Sequence, residues 1–342
     1  MKRVVIKSPE KIGFEDVPEP IPGPGEIAIE VAYCGICGSD LHAYQGKHPF
    51  ISLPATPGHE FSGRIHNLGE GTRGFFKGHR VIVEPSLVCG ECYLCRTGRY
   101  NICEKLRVMG CQGDGAMQKY FIVPASKVVP IPDQLSMKHA AMAEPLAVGV
   151  HAARRAGSMQ GLNVAIFGAG TIGLTLLQVV RLAGAKRIAV VDLQEPRLKL
   201  ARKIGATVTL DPAGTNPVAS LKGMEVYEGW DVAFECVGIE PTIRQCLDLV
   251  RKGGKVVVVG VFGDETKITM ANIQDRETEV VGTLMYIRRD FVDAVDYIAS
   301  GVMTVEPLIS AVYPLDQAAE AFKEAMDTRK NLKVLLKIGE DW

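Results

Sequence analysis

The sequence of 342 residues carries no formal net charge, because 39 Lys and Arg residues balance 39 Asp and Glu residues. A nucleic-acid-binding protein needs an excess of basic side chains to neutralise phosphates, so this balance argues against that class. No apolar run reaches the roughly 18–20 residues that a membrane span needs, and the N-terminal stretch lacks the apolar core of a signal peptide. We therefore expect a cytoplasmic protein without membrane or nucleic-acid partners.

The composition is that of an ordinary globular protein, with 47% hydrophobic and 23% charged residues, and the length suggests two domains. Short apolar runs separated by Gly and Pro predict a β-rich barrel or sandwich at the N-terminus. The predicted boundaries are 1–148 for this domain, 149–285 for a second domain, and 286–342 for a return to the first.

Strands and helices alternate in the middle domain, which predicts an α/β fold with a doubly wound parallel sheet. The predicted helices there include 172–183 and 195–204. The predicted strands are Val164–Phe167, Arg187–Val191, Val208–Leu210, Asp231–Glu235, Lys255–Val261 and Glu279–Gly282. The fold class is thus α/β plus β.

A glycine-rich motif, Gly168-Ala169-Gly170-Thr171-Ile172-Gly173, follows the first of these strands and opens the first helix. In this context G-x-G-x-x-G is typical of a dinucleotide site, where the helix N-terminus and its free N–H groups bind phosphates. Asp192 ends the next strand, where a carboxylate can bind the ribose hydroxyls and repel a 2′-phosphate. The motif therefore favours NAD over NADP, although Arg197 on the following helix could soften that preference.

Nine cysteines, an odd number, fit a reducing compartment better than a disulfide scaffold. Four of them, Cys89, Cys92, Cys95 and Cys103, follow the pattern C-x2-C-x2-C-x7-C. Four thiolates can surround a zinc ion and leave no open position for substrate, so the loop 89–103 predicts a structural zinc site. An iron–sulfur cluster is the alternative that uses similar ligands.

A second set of metal-ligating and polar side chains lies outside this loop. Cysteine, histidine and carboxylate groups suit a catalytic zinc that keeps one position open, although spacing alone does not join these residues. The candidates are Cys37, Ser39, Asp40 and His42 in CGICGSDLH, His59 and Glu60 in PGHE, and Glu144 in AEPLAV.

These motifs, in the order CGICGSDLH, PGHE, the four cysteines, AEPLAV and GAGTIG, resemble the zinc-dependent medium-chain dehydrogenase/reductase family. Glu60 and Glu144 make the chain most similar to the polyol, or sorbitol-type, branch. The resemblance implies a GroES-like catalytic domain with an inserted Rossmann domain, and an active site in the cleft between them. It also implies two zinc ions per subunit, NAD as cofactor, and a homotetramer or homodimer.

The resemblance further implies a role for each candidate near the catalytic zinc. Cys37, His59 and Glu60 would surround the ion, and Glu144 would be a fourth ligand or would hold the water at the metal.

Two of the remaining candidates would move the proton of the alcohol, and the third would orient a metal ligand. Ser39 would contact the substrate oxygen, and His42 would pass the proton to solvent. Asp40 would orient the ring of His59. The predicted activity is oxidation of a secondary alcohol of a polyol, cyclitol, sugar or sugar acid to a ketone, with hydride transfer to NAD.

Other functions stay open at this point. The alternatives are an L-threonine 3-dehydrogenase or a butanediol-like dehydrogenase on the same fold, a zinc-stabilised regulator that senses NAD, and a nucleic-acid-binding zinc module. The residues expected at the cleft mouth suggest a polar substrate, and a sugar, a cyclitol or a sugar acid would fit. They are Tyr44, Gln45, Lys47, His48, Phe50, Arg288 and Arg289.

Overall fold

The computed structural model describes residues 1–224 and 228–342 and divides into two compact units. The β-rich unit comprises Met1–Glu144 and Ile287–Trp342, and the parallel-sheet unit comprises Pro145–Tyr286. The sequence analysis predicted the two boundaries at 148/149 and 285/286, whereas these units meet at 144/145 and 286/287. No helix in the described ranges is long and apolar enough to cross a membrane.

The first part of the β-rich unit consists of short strands with few helical turns between them. Its strands are β1 Lys2–Ser8, β2 Lys11–Asp16, β3 Glu26–Ile36, β4 Glu60–Leu68, β5 Arg80–Val83, β6 Ser86–Leu87, β7 Arg107–Val108, β8 Tyr120–Pro124 and β9 Val128–Pro130. Its helices are α1 Gly38–Tyr44, α2 Tyr93–Arg96 and α3 Met137–Ala140.

Strands and helices alternate through the parallel-sheet unit. The helices are α4 Ala143–Ala156, which begins just before the unit boundary, α5 Thr171–Leu182, α6 Glu195–Ile204, α7 Pro217–Lys222, α8 Glu240–Leu249 and α9 Ala271–Gln274. The strands are β10 Asn163–Phe167, β11 Arg187–Val191, β12 Val208–Leu210, β13 Trp230–Glu235, β14 Val250–Val258 and β15 Glu279–Gly282.

The chain then returns to the β-rich unit and completes its main sheet. The returning elements are α10 Arg288–Ala299, β16 Ile309–Pro314, α11 Ala318–Met326 and β17 Lys333–Lys337. In the described part of the chain this sheet has seven strands in the order β16-β17-β3-β4-β5-β9, with β8 also paired to β3. Strand β17 therefore lies directly beside β3, which in turn lies beside β4.

The parallel sheet has the strand order β12-β11-β10-β13-β14-β15, and every neighbouring pair is parallel. Its central strand β10 is buried at every position, as expected of a strand covered by helices on both faces. This order reverses between β10 and β13, and ligands of such folds bind outside the carboxyl ends of the strands at that point. The predicted fold class, α/β plus β, is confirmed.

Some predicted elements differ from those observed. The predicted strand 255–261 is observed as β14, which starts at Val250 and stops at Val258. It stops there because the backbone N–H groups of Val259 and Gly260 both donate to the carbonyl oxygen of Glu235 and turn the chain out of the ladder. The sequence analysis also assigned no helix to CGICGSDLH, whereas α1 begins directly after Cys37.

Candidate functional site

Three neighbouring strands bring candidate residues to one end of the main sheet of the β-rich unit. Gly35 in β3 pairs with Glu60, the first residue of β4. Ile36 in β3 pairs with Val334, so Lys333 begins β17 beside the same end of β3. Cys37 follows β3 directly. The sheet order therefore gathers residues that are far apart in the sequence.

The packing at Gly35 shows how closely these strands fit together. A Cβ atom at this position would lie 2.1 Å from Oε2 of Glu60, a distance at which the carboxylate would have to move. Gly35 therefore leaves the space that the Glu60 side chain occupies.

The ligand atoms of Cys37, His59 and Glu60 all lie within 4.8 Å of one another. His59 is 6% exposed and Glu60 is 1% exposed, so the donors form a largely buried group. Among the described residues, Glu144 does not belong to this group, although it is buried and its charge acts on Lys333. The structure thus brings together three of the four residues predicted around the catalytic zinc.

Lys333 is a buried partner of this group that the sequence analysis missed. Its ammonium donates to both carboxylate oxygens of Glu60 at 2.6 Å and to the carbonyl oxygen of Ile36 at 3.1 Å. Both side chains of the pair are almost fully buried. Burial alone would lower the pKa of Lys333, but the charges of Glu60 and Cys37 outweigh it and raise this pKa above its ordinary value.

Asp40 lies beside His59, but the two side chains do not hydrogen-bond. Oδ1 of Asp40 is 3.9 Å from Nδ1 of His59, which is longer than a hydrogen bond, and neither of these buried atoms has a partner in the described ranges. The hydrogen bond of Asp40 goes instead from the backbone N–H of Cys37 to Oδ2, at 2.8 Å. Asp40 therefore holds the start of α1, where it lies three residues after Cys37.

The electrostatics of the group favour added positive charge. Burial alone would lower the pKa of His59, but the Asp40 carboxylate and the Cys37 thiolate raise it well above its ordinary value. Hydrogen bonds with the thiols of Cys111 and Cys37 act in the same direction. A sulfur, an imidazole nitrogen and a carboxylate oxygen are the donors that zinc takes in catalytic sites, so these residues fit the metal that the motifs imply.

The two residues predicted to move protons lie on α1, next to the metal-ligating group. Ser39 is half-buried in the first turn, and His42 is exposed in the last turn. Helix α1 begins at Gly38, directly after Cys37, so both side chains are carried on the segment that leaves the cysteine.

The four cysteines of the loop 89–103 converge as predicted from their spacing. Their sulfur atoms are 3.9 Å apart for Cys89 and Cys95, 3.9 Å for Cys92 and Cys103, and 3.5 Å for Cys89 and Cys103. A tetrahedral zinc ion with Zn–S bonds of about 2.3 Å places its sulfurs about 3.8 Å apart. The cluster therefore has the dimensions of a four-thiolate zinc site.

Backbone N–H groups stabilise the thiolate form of two of these sulfurs. Backbone hydrogen bonds at Glu104 and Cys95 lower the pKa of Cys92 to about 6. The backbone N–H groups of Cys89 and Lys105 donate to the sulfur of Cys103, each at 3.4 Å, and lower its pKa. The thiolate is the form that binds a metal, so these two sulfurs favour a cation, whereas burial raises the pKa of Cys95 to about 12.

Each glycine of the motif in the parallel-sheet unit is explained by a different structural feature. Gly168 has a φ of +103°, in the left-handed region. A Cβ atom at Gly173 would lie 1.9 Å from the carbonyl oxygen of Gly168, so only glycine lets α5 pack this closely. A Cβ atom at Gly170 would have a guanidinium nitrogen of Arg197, 4.0 Å away, as its nearest neighbour. The space beside Gly170 is therefore open to a ligand.

Asp192 follows β11 and contacts the same turn. Its carboxylate accepts hydrogen bonds from the backbone N–H groups of Ala169, at 2.7 Å, and Gln194, at 2.8 Å. A guanidinium nitrogen of Arg197 lies 3.8 Å from Asp192 Oδ2. Asp192 and Arg197 therefore lie beside the glycine turn, while Thr171 and Ile172 form the first turn of α5.

Two residues expected at the cleft mouth have other partners. Tyr44 is buried, and its hydroxyl donates to the carbonyl oxygen of Glu10. The guanidinium of Arg288 donates to the carbonyl oxygens of Ser126, at 2.8 Å, and Val128, at 2.7 Å. This side chain therefore joins the return segment to the turn between β8 and β9. The expectation of a polar substrate stays a prediction.

Family models match both units. Residues 23–133 match the alcohol dehydrogenase GroES-like domain, and residues 171–300 match the zinc-binding dehydrogenase model. A protein of Aspergillus clavatus named "Probable D-xylulose reductase A" is 34% identical over 341 residues, which cover 97% of this chain and 95% of the relative. The sorbitol dehydrogenase of Bacillus subtilis is also 34% identical and covers 98% of this chain and 97% of its own length.

A solved structure from Sinorhizobium meliloti, described as a zinc-binding dehydrogenase bound to NADP, has a TM-score of 0.92 and 35% identity. The alignment covers 98% of this chain and 99% of that one. These similarities confirm the resemblance that the motifs indicated. The chain belongs to the zinc-dependent medium-chain dehydrogenase/reductase family and is a zinc-dependent, nicotinamide-linked alcohol dehydrogenase.

Proposed function

We propose that the enzyme oxidises a secondary alcohol of a polyol, cyclitol, sugar or sugar acid to the ketone and transfers the hydride to NAD. The observation that carries this proposal is the buried group of Cys37, His59 and Glu60, which offers a metal one sulfur, one nitrogen and one oxygen. The names of the relatives, a xylulose reductase and a sorbitol dehydrogenase, support a polyol substrate.

Cys37, His59 and Glu60 would bind the catalytic zinc. When bound, zinc acts as a Lewis acid that lowers the pKa of an oxygen ligand, and the nicotinamide accepts a hydride. Lys333 pairs with Glu60 at 2.6 Å and so offsets one negative charge of the ligand group. Because anionic ligands reduce the Lewis acidity of a metal, this pairing would keep the ion more electrophilic.

Ser39 and His42 would carry the proton of the alcohol away. Ser39 is half-buried two residues after Cys37, and His42 is exposed three residues further on in the same helix. This change from partial burial to exposure supports the proposed route of the proton to solvent. Asp40 would position Cys37 by accepting the hydrogen bond from its backbone N–H. Glu144 would be a fourth ligand of the ion or would hold the water at the metal.

We propose NAD rather than NADP as the cofactor. The carboxylate of Asp192, beside the glycine turn, would accept hydrogen bonds from the ribose hydroxyls and repel a 2′-phosphate. Arg197, 3.8 Å from this carboxylate, weakens the repulsion without removing the negative charge.

We also propose two zinc ions per chain, the second bound by the four cysteines of the loop 89–103, whose sulfur–sulfur distances of 3.5–3.9 Å suit the ion. The proposed protein is a cytoplasmic homotetramer or homodimer, in line with nine free cysteines and with the family. Light scattering would measure the assembly.

The decisive experiment is a screen for NADH formation at 340 nm with zinc content measured in parallel. The panel would contain polyols, cyclitols and sugar acids, with L-threonine and 2,3-butanediol as representatives of the alternatives. We expect turnover with at least one member of the first group. Turnover with threonine or butanediol alone would replace the proposed substrate class.

The variant Cys37→Ala tests the metal ligands in the same assay. We expect it to lose one zinc per chain and to lose turnover, because the sulfur ligand is gone. Cys246→Ala, which removes a buried thiol of the parallel-sheet unit, is the control and should keep both. Full activity of Cys37→Ala without the catalytic zinc would overturn the proposed metal centre.

A further inference from the structure

His48 lies in the loop after α1 and has no part in the proposed chemistry. Its Nδ1 accepts a hydrogen bond from the backbone N–H of Phe50 at 3.1 Å. The two rings also contact each other edge to face, with centroids 6.2 Å apart and an interplanar angle of 71°. The loop therefore fixes the imidazole from two directions.

This geometry decides which nitrogen of His48 carries the proton. A nitrogen that accepts a hydrogen bond has no hydrogen of its own, so the neutral ring carries its proton on Nε2. Burial, and then the neighbouring His42 and His59, lower the pKa of His48 and keep it neutral. In the described part of the chain, no residue pairs with Nε2. His48 thus presents a neutral donor with a fixed direction.

The loop of His48 is tied to a segment that contacts the metal-ligating group. The side-chain amide of Gln112 donates to the carbonyl oxygen of Phe50 at 3.4 Å, and its oxygen accepts from the backbone N–H of Val108 at 2.9 Å. The thiol of Cys111, the preceding residue, is one of the groups that raise the pKa of His59, after the charges of Asp40 and Cys37. His48 therefore belongs to the surroundings of the metal-ligating group rather than to a remote surface loop.

We propose that His48 is a specificity-determining residue whose Nε2–H donates a hydrogen bond to a substrate oxygen other than the one that is oxidised. A polyol or sugar has such an oxygen next to the reacting carbon, and a simple secondary alcohol does not. The inference rests on the proposed function, because it needs an alcohol bound at the group of Cys37, His59 and Glu60.

Two substitutions separate the two nitrogens of His48. In His48→Asn, the amide oxygen replaces Nδ1 and keeps the hydrogen bond from Phe50, but the distal donor is lost. In His48→Gln, the longer amide keeps a donor near the position of Nε2. Steady-state kinetics of wild type and both variants would be measured with sorbitol, xylitol and 2-butanol, with thermal unfolding as a check on folding.

A hydrogen bond to an oxygen that does not react binds ground state and transition state alike, so its loss raises KM and leaves kcat unchanged. We expect His48→Asn to raise KM for the turned-over polyol about 5- to 10-fold, with kcat within twofold of wild type. His48→Gln should retain a KM close to wild type, and turnover of 2-butanol should not respond to either variant.

An unchanged polyol KM in His48→Asn, or an equal loss of kcat with every substrate, would overturn the role of His48 while leaving the proposed function intact. Failure of the wild-type enzyme to oxidise any alcohol of the panel would instead overturn the proposed function, and the inference with it.

Discussion

Replacing Lys333 with methionine would remove the cation that pairs with Glu60 while keeping a side chain of similar length. The ammonium of Lys333 lies 2.6 Å from both carboxylate oxygens, and both side chains are almost fully buried. In Lys333→Met the Glu60 carboxylate would stay buried without its partner. The cost is the desolvation of an unpaired charge, which is much larger than the value of a surface ion pair.

Breaking a buried pair by removing one partner costs about 3–5 kcal/mol. In a unit of this size each kcal/mol shifts the unfolding midpoint by about 2–4 °C, so we expect a fall of about 6–20 °C for the β-rich unit. Thermal unfolding in the presence of a chelator would measure it, because bound metal could otherwise neutralise Glu60. Hydrogen exchange of peptides from β3 and β17 would locate the loss in this unit.

The pair offers two controls that isolate the charge. Lys333→Arg keeps the cation and should lose far less stability than Lys333→Met. Glu60→Gln combined with Lys333→Met removes both charges and should recover most of the loss. A midpoint within 2 °C of wild type for Lys333→Met, or a double variant as unstable as the single one, would refute the reasoning.

Three further predictions concern other parts of the protein. Cys95→Ser should lose one zinc per chain and lower the unfolding midpoint while KM for substrate stays unchanged, and retention of two zinc ions would contradict this. Asp192→Ala should raise KM for NAD and relax discrimination against NADP, and an unchanged ratio of the two KM values would remove Asp192 from the ribose site. Lys138 and then His139 lower the pKa of Glu306 by hydrogen bonding, so its contribution to stability is present above its ordinary value of 4.5 and is lost as the pH falls through the lower folded value. The midpoint difference between wild type and Glu306→Gln should therefore be small, because the carboxylate is exposed, and should vanish in acid.

Each of these variants has a control of the same residue type outside the site. Cys236→Ser changes a half-buried cysteine that belongs to neither metal-ligating group and should keep both zinc ions. Asp211→Ala changes the aspartate that follows the neighbouring strand β12 and should leave the NAD to NADP ratio unchanged. Glu240→Gln removes a carboxylate of α8 that pairs with Arg244. The pH dependence of its unfolding midpoint therefore reports on a different ion pair.

The features that could be predicted from the sequence are those in which the interacting residues are close together in the chain. The glycine turn needs only β10, the turn and α5, and the four cysteines fall within one loop. The pairing of Lys333 with Glu60 could not be predicted in this way, because 273 residues separate the two. Lys333 also opens a strand that reads as apolar, so no local pattern marks it as part of the site.

Spacing was likewise insufficient to show what Asp40 contacts. The motif resemblance implied an orienting contact with His59, whereas the structure has 3.9 Å between these side chains and a hydrogen bond from the backbone of Cys37. Arg288 illustrates the same limit, since five N–H donors on a long side chain can reach backbone carbonyls as readily as a ligand. In the sequence, Gly35 could have indicated that another side chain packs closely against β3, because a larger residue at this position would collide with Glu60.

The separation of Glu60 from Lys333 also has a consequence for the order of events on the ribosome. The whole parallel-sheet unit lies between them in the chain, so its synthesis must finish before β17 can be made. At about 5–20 residues per second, a gap of 273 residues corresponds to a delay of roughly 14–55 seconds. During this interval the nascent chain contains strand β4 and its carboxylate but not the ammonium that neutralises it. The sheet still lacks the pairing of β17, and of β16 beyond it, on that side of β3. The inserted unit can therefore fold cotranslationally before the unit that surrounds it in sequence is complete.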